Sequence, residues 1–320
     1  MRDRPEGLDE GLLRPALREW GIDAVALDYA PVGFGDYHWV ADGRWFVTVA
    51  DVRRRPYDGL QQAMETAAVL SEQAGLGFVV APMRAADGTT LRRLDRHRYV
   101  MSVFPYLDGA GGDFGDEVSA EERGRVIDLL AELHRTPPPL STPDRPVDLA
   151  GRAWLEDAIR EKDRPWLGGP YAEPARALIA DHAVTLRRRL EELDRMAEKG
   201  GEPVVTHGEP HPGNLLREAD GRLLLVDWDT VGMALPERDL WLVAKDPADL
   251  ARYADAVGRT PDPAALELYR LRWALDDVAE FVAYFRSPHG RTPDAEQSWA
   301  GLTGTLEGLA GTLPAQRPSP

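Results

Sequence analysis

Short apolar and aromatic runs in the first third of the chain predict a β-sheet. Residues 37–40 and 45–49 are two such runs, and the turn-forming sequence 41–44 separates them, which is typical of antiparallel strands. Similar runs at 79–80 and 99–104 predict further strands. The pattern therefore favours a small antiparallel sheet.

Apolar positions spaced by three and four residues predict helices elsewhere. Residues 58–75 form one amphipathic segment, and helices are expected from 119 onward, over 237–250 and over 262–285. Residues 203–226 interrupt this helical region with two short apolar runs around a loop rich in Gly, Pro, His and Asn. We expect a hairpin-like insert there.

These patterns predict an α+β fold with two lobes. The first lobe, residues 1–105, holds the small antiparallel sheet with one helix, and the second, residues 106–320, is larger and mostly helical. A chain of 320 residues is long enough for two such lobes that share a cleft.

The net charge of −16 disfavours nucleic acid as a partner, because phosphate binding needs a surface of lysine and arginine. The chain has no cysteine, and no stretch approaches the roughly 18 apolar residues of a membrane span. We expect a cytoplasmic protein that binds no membrane. The charge favours a cationic ligand, although many proteins carry net charge for solubility alone.

Candidate chemistry is concentrated in two segments. His-Gly-Glu-Pro-His-Pro-Gly-Asn occupies residues 207–214, and Asp-Trp-Asp occupies residues 227–229 after a short apolar run. Phosphoryl transfer needs a carboxylate near the acceptor oxygen and oxygen ligands for a metal that neutralises the phosphates. Glu209 can face the acceptor, while Asn214 and Asp227 supply oxygen ligands suited to Mg²⁺. The two segments indicate a phosphotransferase.

Both segments resemble the His-Gly-Asp-x-His-Pro-Gly-Asn loop and the Ile-Asp-Trp segment of the aminoglycoside phosphotransferase family, which is related to the protein kinases. Residues 104–109 look like the hinge of that family, and residues 130–134 look like the helix that follows it. The resemblance extends over residues 30–285, and within the family the chain is most similar to the spectinomycin phosphotransferase branch. It implies a two-lobed, protein-kinase-like fold.

The resemblance also implies roles for individual residues. Glu209 takes the position of the catalytic base, and Asn214 and Asp227 take those of the metal ligands. His207 would organise the loop rather than transfer a proton. Asp239 looks like the family aspartate that is buried and braces the catalytic loop through backbone hydrogen bonds. The implied cofactors are ATP, or GTP, and Mg²⁺.

One residue of the loop departs from the family pattern. The family has Asp where this chain has Glu209, and the added methylene moves the carboxylate by more than about 1 Å if the backbone stays fixed. The acceptor then sits farther away, or the reaction is slow, or turnover is lost and nucleotide binding kept. The presence of both metal residues argues against the last explanation.

The nucleotide side departs from the kinase pattern as well. A kinase carries a lysine on its third strand, whereas no lysine precedes Lys162 here and Thr48 occupies the approximate place. An arginine at position 53, 54 or 55 is a possible substitute. The remaining nucleotide candidates are Gly33, Gly35, Glu65, Phe104 and Tyr106. A plain hairpin turn explains the two glycines about as well, and a solvated helix face explains Glu65 equally well.

Acidic residues next to an aromatic ring are the candidates for acceptor binding. Asp276 and Glu280 are four residues apart and share a helix face, with Asp277 adjacent and Trp273 one turn away. Such a set would bind a cationic acceptor, although a solvated helix face explains it equally. Asp229 is a further candidate, because it lies two residues from the expected metal ligand.

The sequence thus predicts an ATP- and Mg²⁺-dependent phosphotransferase with an alcohol group of a small molecule as acceptor. An aminoglycoside or aminocyclitol antibiotic is the leading hypothesis, with resistance as the biological role. A metabolic kinase for an amino alcohol, a sugar or an amino acid hydroxyl would carry the same loop. A nucleotide-binding pseudokinase without turnover is the third interpretation.

Overall fold

The computed structural model describes residues 1–94, 98–198 and 200–311. The chain divides into two compact units: Met1–Arg145 with Pro203–Thr260, and Pro146–Glu202 with Pro261–Pro320. Strands and helices are both present, which confirms the expected α+β class. The boundary of the lobes at residue 105 stays a prediction.

An antiparallel sheet lies in the first unit. Its strands pair in the order β1-β2-β3-β5-β4. Their bounds are β1 Leu27–Ala30, β2 Tyr37–Ala41, β3 Trp45–Asp51, β4 Arg92–Leu94 and β5 Tyr99–Pro105. The strands predicted at β2, β3 and β5 are confirmed. The strand predicted at 79–80 is wrong, because Val79 forms an isolated bridge to Leu225 instead.

Helices of the first unit follow the apolar spacing of the sequence. Helix α2, Tyr57–Glu72, confirms the segment predicted at 58–75 apart from its last turn. It buries the apolar positions that define the pattern, which are Leu60, Met64, Ala67 and Leu70. Full burial of a leucine or methionine side chain contributes about 1.5–3 kcal/mol. The short helix α1, Leu13–Leu17, shares a core cluster with the sheet residues Trp39 and Val47.

Two small ladders replace the predicted hairpin-like insert. Strand β7 pairs with β10, whereas β8 pairs with β6 and β9. The two apolar runs at 204–205 and 223–226 therefore lie in different ladders, and the predicted pairing is wrong. The bounds are β6 Gly109–Gly111, β7 Val204–Thr206, β8 Leu215–Glu218, β9 Leu223–Leu225 and β10 Gly232–Ala234.

The register of these ladders places the two motif segments side by side. Thr206 at the end of β7 is opposite Gly232 at the start of β10. Leu215 at the start of β8 is opposite Leu225 at the end of β9. Residues 207–214 join β7 to β8, and residues 226–231 join β9 to β10, so both connections leave the ladders at the same end.

Helix α3, Ala120–Arg135, begins at Ser119, whose side chain accepts a hydrogen bond from the backbone N–H of Glu122 at 3.2 Å. The helix predicted over 237–250 is in fact two helices, α6 Glu237–Val243 and α7 Pro247–Val257. Asp246 caps α7 and proline takes its first position, so a helix start signal lies inside the predicted helix.

The second unit is helical in the residues that the structure describes. Helix α8 begins as predicted, with Asp262 accepting from the backbone N–H of Ala264 and proline at the first helical position. The bounds are α4 Arg152–Arg160, α5 Ala172–Ala197, α8 Pro263–Arg286 and α9 Pro293–Ala310. These helices share a core that includes Leu186, Leu275 and Leu302. Over the described ranges, no helix is long and apolar enough to cross a membrane.

Candidate active site

The two motif segments are joined by hydrogen bonds as well as by topology. The backbone N–H of Val226 donates to the carbonyl of Asn214 at 3.0 Å. The hydroxyl of Thr230 donates to the carbonyl of His207 at 2.9 Å. These bonds hold both ends of the loop 207–214 against the connection that carries Asp227 and Asp229.

Asp239 on α6 fixes the start of the loop. Its buried carboxylate accepts the backbone N–H groups of His207 at 2.8 Å and of Gly208 at 2.6 Å, and it lies 3.0 Å from Nε2 of His134. Burial alone would raise the pKa of Asp239, but the hydrogen bond from His134 and the nearby positive charges outweigh it and lower that pKa. The charged carboxylate therefore anchors two consecutive amides of the loop.

Gly208 is required at the bend of the loop. Its backbone φ of 102° is rarely adopted by residues that carry a side chain. A Cβ at this position would also overlap the guanidinium of Arg238, which donates to Thr206 Oγ1 at 2.8 Å and to the Thr230 carbonyl at 2.9 Å. The bend therefore admits glycine alone without displacing Arg238.

His207 is buried and uses both ring nitrogens within the loop. Nε2 donates to the carbonyl of Val226 at 2.9 Å, and Nδ1 accepts from the backbone N–H of Glu209 at 3.2 Å. The ring also meets the edge of Trp228, with centroids 4.6 Å apart. Burial lowers the pKa of His207 to about 4, so the ring is neutral at pH 7. This geometry suits a loop-organising role better than proton transfer.

Glu209 and Asn214 are linked across the loop. The side-chain amide of Asn214 donates to the backbone carbonyl of Glu209 at 2.9 Å. Asn214 is buried, and Glu209 is partly exposed. Because this bond uses the amide nitrogen, the amide oxygen of Asn214 is its group suited to a cation.

Asp227 has an uncommon backbone conformation. Its φ of 64° lies in the left-handed region, which is uncommon outside glycine and costs on the order of 1–3 kcal/mol. Its side chain keeps solvent exposure although it lies deep among protein atoms. Those surroundings raise the pKa of Asp227, while nearby Arg55 acts in the opposite direction. A recessed yet accessible carboxylate is suited to binding a ligand.

The donor set fits Mg²⁺. Among the described residues, no group of three or more His, Asp or Glu side chains could hold a metal ion by itself. Mg²⁺ usually takes one or two protein carboxylates and completes its shell with phosphate oxygens and water. Asp227 and the neighbouring amide oxygen of Asn214 are such a partial set, and both are hard oxygen donors. They would hold the ion together with a nucleotide.

Asp229 is buried and forms an ion pair with Arg55. Nη1 of Arg55 lies 3.6 Å from a carboxylate oxygen of Asp36, which follows the glycine turn between β1 and β2. A Cβ at Gly35 would lie 3.4 Å from Nη2 of the same guanidinium. Arg55 thus connects the glycine turn to the Asp-Trp-Asp segment.

The other nucleotide candidates have defined partners. Gly33 and Gly35 have φ values of 67° and 108°, so the turn needs both glycines. The hydroxyl of Thr48 on β3 lies 3.2 Å from Nδ1 of His38 on β2. Burial lowers the pKa of His38 to about 3, so this imidazole supplies no positive charge at Thr48.

Glu65 on α2 has an arginine partner. Two nitrogens of Arg84 donate to its two carboxylate oxygens, each at 2.9 Å. Nε of Arg84 also donates to Glu72 at 2.9 Å. This pairing occupies the glutamate that a strand lysine would bind in a kinase. Phe104 and Tyr106, at the end of β5 and just beyond it, are partly exposed and exposed, respectively.

The acceptor candidates on α8 belong to the second unit. Asp276 forms an ion pair with Arg272 at 3.0 Å on the same helix. Trp273 and Asp277 are partly exposed, and Glu280 is exposed. Their role in binding an acceptor stays a prediction.

Sequence reasoning missed two residues that support the site, His134 and Arg238, and left the choice of a third, Arg55, open. His134 lies in the helix that resembled the family pattern, yet its bond to Asp239 joins residues far apart in the chain. Arg238 directly precedes Asp239 and carried no motif signal of its own. Arg55 was one of three consecutive arginines, and the sequence offered no reason to prefer it.

Fold and site together define a kinase-like phosphotransferase. The chain belongs to the phosphotransferase enzyme family, whose sequence pattern matches residues 36–296. Protein StrN of Streptomyces griseus is 29% identical over an alignment of 299 residues. The match covers 87% of this chain and 85% of that protein. The chain is therefore a phosphotransferase.

Solved structures show the same fold. A spectinomycin phosphotransferase in complex with ADP and spectinomycin is 15% identical with a TM-score of 0.72, over 96% of this chain and 99% of that one. A microcompartment-associated aminopropanol kinase is 16% identical with a TM-score of 0.64, over 96% and 100%. The GDP complex of an aminoglycoside 2'-phosphotransferase is 16% identical with a TM-score of 0.57, over 94% and 98%. The expected kinase-like fold is confirmed.

Proposed function

We propose that this chain uses ATP, or GTP, and Mg²⁺ to phosphorylate a hydroxyl of a small cationic alcohol. An aminocyclitol or aminoglycoside antibiotic is the leading acceptor class. The proposed biological role is inactivation of that antibiotic in the cytoplasm. The observation that carries the proposal is the joint placement of Glu209, Asn214 and Asp227 by two hydrogen-bonded connections. That placement supplies a carboxylate for the acceptor beside two oxygen donors for a metal.

Glu209 is the proposed catalytic base. The acceptor oxygen attacks the γ-phosphorus, the bond from that phosphorus to the β,γ-bridging oxygen breaks, and the acceptor proton passes to the Glu209 carboxylate. Mg²⁺ neutralises charge on the phosphates when it is bound. Asn214 and Asp227 hold the ion, and His207 and Asp239 keep the loop in place.

Nucleotide binding is supported by the similar structures, which include complexes with ADP and with GDP. We propose that the glycine turn approaches the phosphates, because Gly33 and Gly35 carry no side chain of their own. Phe104 and Tyr106 are proposed to contact the base.

A cationic acceptor is supported by the charge of the chain and by the acidic residues on α8. The chain carries a net charge of −16, and α8 presents Trp273 with Asp276, Asp277 and Glu280 within two turns. Spectinomycin and aminopropanol, named in two of the similar structures, are both alcohols that carry amine nitrogen. An amine-bearing alcohol is therefore the acceptor chemistry that we propose.

A metabolic amino alcohol kinase is the second candidate function. The likeness in fold to an aminopropanol kinase, with a TM-score of 0.64, supports it. It requires the same loop and differs in the acceptor.

A mass-spectrometric acceptor screen tests the proposed function. The purified chain is incubated with Mg²⁺ and ATP or GTP, together with aminocyclitols, aminoglycosides or short amino alcohols. We expect a mass gain of about 80 Da, one HPO₃ group, on at least one acceptor. Glu209→Gln is the matched control and should give far less product. Nucleotide binding without a phosphorylated product from any acceptor would favour a pseudokinase instead.

A further inference from the structure

Arg55 lies between the two elements expected to surround a nucleotide polyphosphate. Its guanidinium pairs with Asp229, next to the proposed metal ligand Asp227, and approaches Asp36 at 3.6 Å. On its other side it lies against the backbone of Gly35, where a Cβ would be 3.4 Å from Nη2. Arg55 thus lies between the glycine turn and the segment that carries the proposed metal ligand.

The other cations near β3 have different positions. Arg53 folds back onto Asp51 at the end of β3, with Nη2 2.6 Å from the carboxylate. Arg54 is exposed. Arg84 holds Glu65 and Glu72 through Nε and both terminal nitrogens. Of these arginines, Arg55 is the one that contacts the Asp-Trp-Asp segment.

The strand position itself offers no positive charge. Thr48 is bonded to the neutral ring of His38. Glu65, which would hold a strand lysine in a kinase, is held by Arg84 instead. Threonine therefore stands where a kinase has the lysine, and the glutamate has an arginine partner from a different position in the chain.

A guanidinium can bind phosphate and carboxylate at the same time, because it has five N–H donors in a fixed plane. We propose that Arg55 binds the β-phosphate side of the nucleotide in place of a strand lysine, with Asp229 and Asp36 as positioning residues. This inference rests on the proposed function, since it assumes that a nucleotide occupies the site. It assigns Asp229 a role in orienting Arg55.

Nucleotide affinity of the full chain tests the assignment without an acceptor. Affinities for ADP and GDP with Mg²⁺ are measured by calorimetry for the wild type, Arg55→Gln, Arg55→Lys and Arg54→Gln. The corresponding nucleosides, adenosine and guanosine, are measured in parallel. Arg54→Gln removes the same charge from the same loop and is the matched control.

We expect Arg55→Gln to weaken diphosphate binding roughly tenfold to a hundredfold, with nucleoside binding changed less than about twofold. Arg55→Lys should recover part of the loss, and Arg54→Gln should lose less than about threefold. Unchanged diphosphate binding in Arg55→Gln, or an equal loss of nucleoside and diphosphate, would overturn the assignment. If the wild type bound no nucleotide, the proposed function itself would fail. Acceptor phosphorylation together with unaffected binding in Arg55→Gln would remove the Arg55 assignment alone.

Discussion

Two regions of the first unit, the catalytic loop and the nucleotide side, differ in how their charged groups are held in place. The loop 207–214 keeps the family pattern except at Glu209, and buried bonds from Asp239 hold its backbone. The glycine turn and β3 depart from the kinase pattern, and arginines form ion pairs with Asp229 and with Glu65 on α2. Backbone anchoring preserves a motif, whereas charge can be supplied from a different position in the chain.

The largest effect is expected for the proposed metal ligand on the catalytic side. Asp227→Ala removes an accessible carboxylate at the position proposed for the metal ligand. We expect turnover to fall on the order of a thousandfold or more, because metal neutralisation of the phosphates is lost. Nucleotide affinity should also lose its dependence on Mg²⁺. Calorimetry with and without Mg²⁺ checks this, and retained metal dependence would rule out Asp227 as the ligand.

The proposed base comes next. Glu209→Gln keeps the shape of the side chain but removes its ability to accept a proton, so turnover should fall roughly a hundredfold to ten-thousandfold. Nucleotide affinity should change little, because Glu209 is assigned to the acceptor. Steady-state kinetics separates kcat from KM for the nucleotide, and Glu209→Asp serves as the conservative variant. Full turnover by the Gln variant would refute the assignment.

The anchoring of the loop is tested through stability. Asp239→Asn removes a buried charge that accepts from two backbone amides and from His134. We expect the free energy of unfolding to fall by about 3–5 kcal/mol. Denaturant unfolding measures this, with Asp255→Asn on the exposed face of α7 as the control. A loss as small as that of the control would mean that the loop is held by other contacts.

The smallest effect concerns a half-buried histidine on the nucleotide side. Burial holds the pKa of His38 at about 3, against 6.5 in its ordinary state. Below pH 6.5 the unfolded chain therefore binds a proton that the folded protein does not. The neutral His38 therefore costs no stability above pH 6.5, and the free energy of unfolding falls as the pH is lowered from 6.5 toward 3.

His38→Gln should flatten that acid slope by on the order of 1–3 kcal/mol across the window. The measurement is denaturant unfolding at a series of pH values. Thr48→Val removes the hydrogen-bond partner of His38 but no titrating group, so it should shift stability without removing the slope. An unchanged slope in His38→Gln would show that other groups account for the acid sensitivity.

Local signals in the sequence predicted what local forces determine. Strands β2 and β3 follow from a short turn between apolar runs, and α8 follows from its Asp-Pro start signal. The residue types of the loop 207–214 likewise indicate its chemistry without any knowledge of its contacts. These features depend on neighbours in sequence, which one chain displays directly.

Pairing between distant segments was not predictable from the same signals. The sequence suggested that the apolar runs around the loop pair with each other, whereas β7 pairs with β10 and β9 pairs with β8. Choosing Arg55 among three adjacent arginines depends on the position of Asp229, which lies far along the chain. Such contacts are decided by tertiary packing and not by local pattern.

The loop 207–214 keeps the family pattern apart from Glu209, and we expect it to transfer phosphate despite the altered nucleotide side. The decisive measurement quantifies the released nucleoside diphosphate and the phosphorylated acceptor together, for the wild type and for Asp227→Ala. We expect equal amounts of both products from the wild type and neither from the variant. Tight nucleotide binding by the wild type with neither product formed, for every acceptor in the screen, would show that the loop does not transfer phosphate.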